Sequence, residues 1–202
     1  MNTRYSKLLL AILFFILVVP PVAGEPPRDG PYVEYHDNGK KKLEAHYRNG
    51  ERDSLWTEWH KNGKKKLKIN FKDGKPDGPI THWHKNGQKK LEAHYKNGKL
   101  DGLMTEYDGK GQKEWVTHFK NGEKDGPMTG WDRNGKKNWE QHYKNGKKDG
   151  LETGWHKNGQ KWYEGNFKDG KKKGLWTRWD ENGNKTREIE YKDGKEVSRK
   201  EF

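Results

Sequence analysis

The stretch HKNGQKKLEAHYKNGKLDG, from His84 to Gly102, concentrates side chains that could do chemistry. It holds two histidines, five lysines, Glu92 and two Asn-Gly pairs. Histidine and carboxylate side chains bind metals, glycine-rich loops bind phosphate, and lysines among aromatic residues bind nucleic acid. Which of these three kinds of site the protein can form depends on how the fold places the side chains.

This stretch belongs to a repeat of 24 residues, and the repeat determines the architecture. Seven copies run from Gly30 to Val197 without an insertion. One column of glycines shows the period, with Ser54 in the missing step: Gly30, Gly78, Gly102, Gly126, Gly150 and Gly174. Each copy has two strand-like runs, nearly all of which end in Asn-Gly or Asp-Gly, the strongest short hairpin signal.

The alternation of residues within a repeat predicts how its strands pair. Alternate positions carry larger side chains in both runs: Leu55, Thr57 and Trp59 in the first, and Leu67, Ile69 and Phe71 in the second. For both sets to share one face, the loop between the runs must have an odd number of residues. We therefore predict three-residue loops, each a type I turn closed by a left-handed glycine, at Lys61-Asn62-Gly63 and at Lys72-Asp73-Gly74.

The predicted fold is all-β, an elongated antiparallel meander of about seven two-stranded hairpin repeats, or about fourteen strands. One face of the sheet is expected to be rich in aromatic side chains and the other to be charged. We expect residues 25–29 to form a short linker, residues 30–197 the repeats and residues 198–202 a C-terminal tail. With about 4.8 Å between strands, the array extends roughly 60–70 Å.

The N-terminus has the pattern of a secretory signal peptide at residues 1–24. Arg4 and Lys7 precede twelve unbroken apolar residues, and small residues up to Gly24 suit cleavage before Glu25. Twelve apolar residues are too few to span a bilayer of roughly 30 Å. We therefore expect an exported protein, in the periplasm, the cell envelope or the medium, with no transmembrane span once the signal is removed.

Composition excludes several classes of function. The chain has no cysteine, which excludes disulfides, thiolate catalysis and cysteine-bound metals. Only 28% of its residues are hydrophobic, but ten Trp, nine Tyr and six Phe argue against disorder. The formal net charge of +13 favours an anionic partner, and export disfavours nucleic acid as that partner.

The histidines form two columns, which the repeat keeps apart. One column holds His46, His94, His118 and His142, and the other holds His36, His60, His84 and His156. Equivalent residues lie two strands, or about 9.6 Å, apart, whereas two ligands of one zinc ion lie roughly 3–4 Å apart. We therefore predict no metal site and no cofactor. We also predict no catalytic residues, because acid–base chemistry needs two groups in different environments and a repeat copies one environment.

The residues from Ser54 to Gly78, SLWTEWHKNGKKKLKINFKDGKPDG, resemble the MORN repeat-variant family, which includes bacterial YwqK-type antitoxins. The similarity extends over all seven copies. It implies an all-β array of hairpins that binds other molecules without catalysis. Members of the wider superfamily are associated with protein scaffolding and with anionic lipids.

An aromatic column is the first candidate binding site. Its members are Tyr35, Trp59, Trp83, Tyr107, Trp131, Trp155 and Trp179. These rings could pack against Leu55, Leu67 and Ile69 and supply the core, which is the interpretation we favour. A single-layer sheet cannot bury both of its sides, so part of the column could instead form an exposed groove for an extended partner.

Two columns of cations are the second candidate binding site. They are Lys41, Lys65, Lys89, Lys113, Lys137, Lys161 and Lys185, and Arg48, Lys72, Lys96, Lys120, Lys144, Lys168 and Lys192. Both columns flank the turns, so each long edge of the sheet would carry a row of positive charge. Such rows could bind anionic headgroups, acidic polysaccharide or an acidic protein surface, or they could keep an aromatic-rich sheet soluble.

Together these patterns predict a non-catalytic, exported repeat protein that binds another protein through an extended sheet surface. One alternative is association with the envelope or with anionic lipids through the basic edges. The other is neutralisation of a toxin, which the antitoxin members of the resembling family suggest.

Overall fold

The computed structural model describes residues 27–202, in which every regular element is a β-strand. The predicted signal peptide lies outside the described residues. The strands are β1 (Gly30–Tyr35), β2 (Lys41–Arg48), β3 (Glu51–Arg52), β4 (Ser54–Trp59), β5 (Lys65–Lys72), β6 (Lys75–Trp83), β7 (Lys89–Lys96), β8 (Lys99–Leu100), β9 (Gly102–Tyr107), β10 (Lys113–Lys120), β11 (Glu123–Trp131), β12 (Lys137–Lys144), β13 (Lys147–Trp155), β14 (Lys161–Lys168), β15 (Lys171–Trp179), β16 (Lys185–Lys192) and β17 (Lys195–Glu201). No helix long and apolar enough to cross a membrane occurs in this part of the chain.

All strands belong to one open antiparallel sheet, in which each row pairs with the next along the chain. Strands β3 and β4 both pair with β2, so together they occupy one row, that is, one strand position in the sheet. Strands β8 and β9 both pair with β7 and likewise share one row. The sheet therefore has fifteen rows where about fourteen were predicted. The predicted all-β meander of hairpin repeats is confirmed.

Three-residue loops join the strands along one long edge of the sheet, which we name the loop edge. At Lys61-Asn62-Gly63, the amide of Gly63 donates to the carbonyl of His60 at 2.8 Å, and the amide of His60 donates to the carbonyl of Lys64 at 2.9 Å. Gly63 has a φ of +87°, which glycine adopts without a steric penalty. The same two hydrogen bonds recur in all seven loops, so the predicted loop type is confirmed at this edge.

The prediction of a three-residue loop at Lys72-Asp73-Gly74, on the opposite long edge, is wrong. Lys72 pairs directly with Lys75, and the two residues between them both have positive φ, +48° at Asp73 and +71° at Gly74. This is a type I′ turn, whose twist matches that of the strands it joins. Seven such turns define this second edge, the turn edge.

A one-residue bulge beside each loop decides which side chains share a face. In the second hairpin Trp59 pairs with Lys65, but Glu58 pairs with Leu67, so Lys66 is an extra residue on its strand. Every other hairpin has the same shift at the equivalent step. Because side chains alternate between the two faces of a strand, one extra residue moves the side chains beyond it to the face opposite the one that the three-residue loop alone would give them.

The predicted assignment of faces is therefore wrong for the first strand of each repeat. Leu67 and its alternate neighbours share a face with Trp56, which is 1% exposed. Leu55, which is 43% exposed, lies on the other face with Thr57. The prediction from the sequence placed Leu55 and Thr57 in the core because it considered the length of the loop and did not include the bulge.

The apolar side chains of both strands meet on one side of the sheet, the packed face. The residues buried there in the first half of the chain are Leu43, Ala45, Tyr47, Trp56, Leu67, Ile69, Phe71, Ile80, Leu91, Ala93, Tyr95 and Leu100. Their rings interlock, since Trp56 contacts Tyr47 and Phe71 edge-to-face with centroids 6.5 and 6.0 Å apart. The guanidinium of Arg52 lies 4.6 Å above the Trp56 ring and shields it from water.

The packed face changes character in the second half of the chain. Positions held by leucine in the first three repeats carry Trp115, Trp139 and Tyr163. Two of these larger rings lie over glycines of the neighbouring strand. A Cβ atom at Gly154 would lie 2.4 Å from a ring carbon of Tyr163, and one at Gly130 would lie 2.6 Å from a ring carbon of Trp115. The missing side chains therefore allow the rings to lie flat on the sheet.

The bulged register and the register without a bulge predict opposite outcomes for Trp56→Ala and Leu55→Ala. We expect Trp56→Ala to lower the free energy of unfolding by about 3–5 kcal/mol, because it empties a buried aromatic site. Leu55→Ala should cost about 1 kcal/mol or less, because Leu55 faces solvent. Urea unfolding followed by circular dichroism measures both values. An equal cost for the two variants, or a larger cost for Leu55→Ala, would contradict the bulged register.

Candidate binding surface

The aromatic column lies on the face opposite the core, which we name the ladder face. The hydroxyl of Tyr107 donates to Glu92 at 2.7 Å, and Glu92 alternates with the buried residues Leu91 and Ala93. The tryptophans of the column therefore cannot pack against Leu67 or Ile69, as the favoured interpretation required. We keep the name aromatic ladder for its seven members: Tyr35, Trp59, Trp83, Tyr107, Trp131, Trp155 and Trp179.

The rings of the ladder are half-buried, apart from the exposed Tyr35 at the N-terminal end of the sheet. Threonines at the next position along the ladder face, such as Thr57 and Thr153, are buried beneath the surrounding side chains. A lysine of the preceding hairpin lies near the ring in several repeats. The Nζ of Lys137, for example, is 4.7 Å from the Trp155 ring centre. The ladder thus combines a flat apolar surface with a charged neighbour.

The lysine column at the loop edge is largely neutralised. Five of its seven members form an ion pair with the glutamate three residues later: Lys41–Glu44 (3.1 Å), Lys89–Glu92 (2.6 Å), Lys137–Glu140 (2.5 Å), Lys161–Glu164 (2.6 Å) and Lys185–Glu188 (2.7 Å). Residues three apart face opposite sides of a regular strand. The bulge brings them to the same side, so it also creates these pairs. Lys65 and Lys113 have Lys68 and Val116 at the glutamate position.

Both columns are exposed, but most of their unpaired cations lie at the turn edge. Its column consists of Arg48, Lys72, Lys96, Lys120, Lys144, Lys168 and Lys192, and all seven are exposed. Within residues 27–202, Arg48 and Lys168 form ion pairs, with Asp53 at 2.8 Å and with Asp149 at 2.9 Å, and the other five form none. The two basic columns look alike in the sequence but differ in the structure, because five of seven cations are paired at the loop edge and two of seven at the turn edge.

One histidine column ties neighbouring loops together. The imidazole Nε2 of His36 hydrogen bonds to the carbonyl of Trp59 at 2.9 Å, and His156 makes the same bond to Trp179 at 2.9 Å. The side chain of Asn38 likewise donates to the carbonyl of Lys61 at 2.8 Å. Where Asp132 replaces histidine, its carboxylate accepts amides of its own loop instead. These residues have a structural function at the loop edge.

Among the described residues, no three histidine, aspartate or glutamate side chains converge as metal ligands would. The histidines of the second column are separated in the same way by the repeat, and two of them contact neighbouring backbone. The Nδ1 of His118 hydrogen bonds to the carbonyl of Pro127 at 2.9 Å, and that of His142 to the carbonyl of Leu151 at 3.3 Å. The residues of His84 to Gly102 therefore do not form a local site.

Sequence reasoning missed two groups of residues that determine the surroundings of the ladder. The column of Trp56 is one, and the glutamates that neutralise the lysines are the other. Both left a signal in the sequence. The alternating column that includes Leu55 contains Pro31, Pro79 and Pro127, which fit an exposed position better than a core. The Lys-x-x-Glu spacing is also incompatible with an ion pair unless the strand contains a bulge.

The fold and the surface together define a class of protein: a single-layer β-repeat protein with an extended, regularly repeated surface. A family model described as the MORN repeat variant matches residues 28–49, 52–73, 76–97, 148–169 and 172–193, which is more than half of the chain. The chain belongs to the MORN repeat-variant family, so the resemblance is confirmed. The matched stretches leave out two central repeats, in which Trp115 and Trp139 replace leucine. No match was found among curated proteins.

His82 makes the packed face sensitive to pH. It lies between Leu67 and Leu91 on the adjacent strands. Burial, with a smaller contribution from the Lys90 ammonium group, lowers the pKa of His82 from 6.5 to about 4. The unfolded chain therefore binds a proton more readily than the folded chain between these two pH values, and folding stability falls as the pH falls through this range.

We expect His82→Gln to remove this part of the pH dependence. Between pH 7 and pH 5, the wild-type protein should lose about 1–2 kcal/mol more unfolding free energy than the variant. Urea unfolding at the two pH values measures the difference. His94→Gln, which changes an exposed histidine on the ladder face, is the matched control and should behave as the wild type. Equal losses in the wild type and in His82→Gln would contradict the assignment.

Proposed function

We propose that the protein is an exported, non-catalytic binding module that holds another protein along its ladder face. The half-exposure of the ladder rings is the observation that carries this proposal. The packed face already supplies the hydrophobic core, so the core is complete without the rings on the ladder face. Aromatic side chains with flanking charges are typical of the energetically dominant residues of protein interfaces.

Repetition supports a binding function over catalysis. Each hairpin presents an aromatic ring, six of the seven also present a threonine, and five present the same lysine–glutamate pair. A partner that extends over several repeats gains the same contact several times, as in other solenoid and repeat surfaces. Acid–base catalysis requires the opposite, two groups whose surroundings differ. Export is supported by the signal pattern at residues 1–24.

Capture of a partner by the immobilised protein from an envelope extract tests the role of the ladder. We expect the triple variant Trp131→Ala, Trp155→Ala and Trp179→Ala to retain the partner at least about tenfold less well than the wild type, because interface aromatics contribute most of the binding energy. Circular dichroism verifies that the variant is folded. Quantitative mass spectrometry measures the amount captured.

The matched control replaces three exposed leucines of the same face that lie away from the ladder, Leu103, Leu151 and Leu175, with alanine. This control should capture the same partner to the same extent as the wild type. Equal capture by all three proteins, or an equal loss in both variants, would show that the ladder is not the binding surface.

An anionic envelope surface is a second candidate partner, favoured by the exposed row of cations at the turn edge. Sedimentation with vesicles tests it. Replacing Lys72, Lys96 and Lys120 by glutamine should weaken binding to vesicles that contain anionic lipid, whereas replacing Lys89, Lys137 and Lys161, which are already ion-paired, should have little effect. Binding should also weaken at high salt, because these charges are exposed. Equal binding to neutral and anionic vesicles would contradict this candidate.

A further inference from the structure

The tryptophans of the two faces differ in what their indole N–H groups do. On the packed face, the Nε1–H of Trp56 donates to Glu58 at 3.1 Å, that of Trp139 to Glu152 at 3.3 Å and that of Trp176 to the carbonyl of Asn166 at 3.2 Å. On the ladder face, within residues 27–202, the N–H groups of all five tryptophans donate to no protein atom: Trp59, Trp83, Trp131, Trp155 and Trp179. The ladder therefore presents a row of unused donors.

The spacing of the ladder selects among peptide conformations. Equivalent residues of successive repeats lie two strands, or about 9.6 Å, apart. An extended β-strand presents the same face every two residues, which is about 6.8 Å and does not match this spacing. A polyproline II helix has three residues per turn and a rise of about 3.1 Å, so it presents the same face every 9.3 Å or so. One turn of this helix corresponds to one repeat of the ladder.

We propose that the aromatic ladder binds a peptide in the polyproline II conformation, with proline at every third position. This inference rests on the proposed function and names its class of partner. Each ladder ring provides a flat surface for one pyrrolidine ring. Its free N–H donates to a backbone carbonyl, and the carbonyls of a polyproline II helix have no intramolecular partner. Because the helix forms before it binds, docking costs little conformational entropy.

The run of three consecutive tryptophans, Trp131, Trp155 and Trp179, is the preferred part of the ladder. Tyr107 interrupts the column before this run, and its hydroxyl already donates to Glu92. Adjacent strands of a sheet are rotated by roughly 20–25°, so successive ladder rings turn by roughly 40–50°. A stiff helical ligand therefore contacts a short run of rings and not the whole ladder.

The charges beside this run predict one further feature of the peptide. Lys137 and Lys161 near Trp155 and Trp179 each have a glutamate partner, at 2.5 and 2.6 Å. Lys113 precedes Trp131 in the same pattern, but Val116 stands at its glutamate position. Lys113 pairs across the sheet with Tyr107 and shares Glu92 with Lys89, so two lysines here have one carboxylate between them. An acidic residue of the peptide complements this excess of positive charge. The partner is thus a proline-rich segment that also carries acidic residues.

Titration of the purified protein with a peptide of repeated Pro-Pro-Glu units tests the proposal, with the indole N–H resonances of the protein as the readout. A scrambled peptide of the same composition is the matched ligand control. We expect the periodic peptide to bind about tenfold more tightly, since a factor of ten corresponds to one or two good contacts. The resonances of the ladder tryptophans should shift, and that of Trp56 should not.

Trp155→Phe keeps an aromatic ring and removes the N–H group, so it should weaken the binding of the periodic peptide by about three- to tenfold. Trp139→Phe makes the same change on the packed face and should leave the affinity unchanged. An unchanged affinity in Trp155→Phe, or an equal loss in both variants, would overturn the proposed hydrogen bond and with it the proposal.

Two other outcomes would also overturn it: equal affinity for the periodic and the scrambled peptide, or shifts of the ladder resonances with a β-1,4-linked glucan oligosaccharide and not with the peptide. If the ladder variants still lose the partner captured from the envelope extract while no proline-rich peptide binds, this inference fails and the proposed function stands.

Discussion

A single-layer sheet has no second layer against which to bury its apolar side chains, and this constraint governs the rest of the molecule. The protein meets it by concentrating the core on one face, where Trp56, Ile69 and Ile80 are almost completely buried. The rings interlock edge-to-face, and cations such as Arg52 and Lys172 cover the outer rings, at 4.6 and 4.3 Å from their centres. A one-residue bulge in every hairpin directs these side chains to the same side. The same bulge places the aromatic ladder on the other side, so the core and the candidate site lie on opposite faces of the sheet.

The two long edges of the sheet have different chemistry because they use different turns. At the loop edge, histidine and asparagine side chains connect four of the loops to the next one, and glutamates neutralise five of the seven column lysines. At the turn edge, the amides of six of the seven turn glycines donate to an earlier strand of the same sheet, as in the bond from Gly98 to the carbonyl of Pro76 at 2.8 Å. The lysines of this edge are exposed, which discourages association of sheets along it. Among these columns, most of the unpaired cations thus lie at the turn edge.

Much of the architecture could be predicted from the sequence, because a 24-residue period with paired turn signals allows few alternatives. The loops such as Lys61-Asn62-Gly63 were predictable from loop parity and from the position of glycine. The bulge at Lys66 was not, since no residue type marks it and its effect on the register depends on pairing across the strand. Leu55 and Trp56 are both apolar neighbours, so only the pairing decides which of them is buried. For this reason the favoured interpretation, that the ladder packs against Leu67, was wrong: the structure places the ladder on the opposite face.

A bulge in each loop-edge hairpin places the core and the ladder on opposite faces. Cross-strand nuclear Overhauser contacts of Leu67, measured by NMR on the isotope-labelled protein, test this placement. In the bulged register, Leu67 faces Glu58 on one neighbouring strand and His82 on the other. We predict backbone contacts to these two residues. Contacts from Leu67 to Thr57 in place of Glu58 would show that the hairpin has no bulge and would contradict the account.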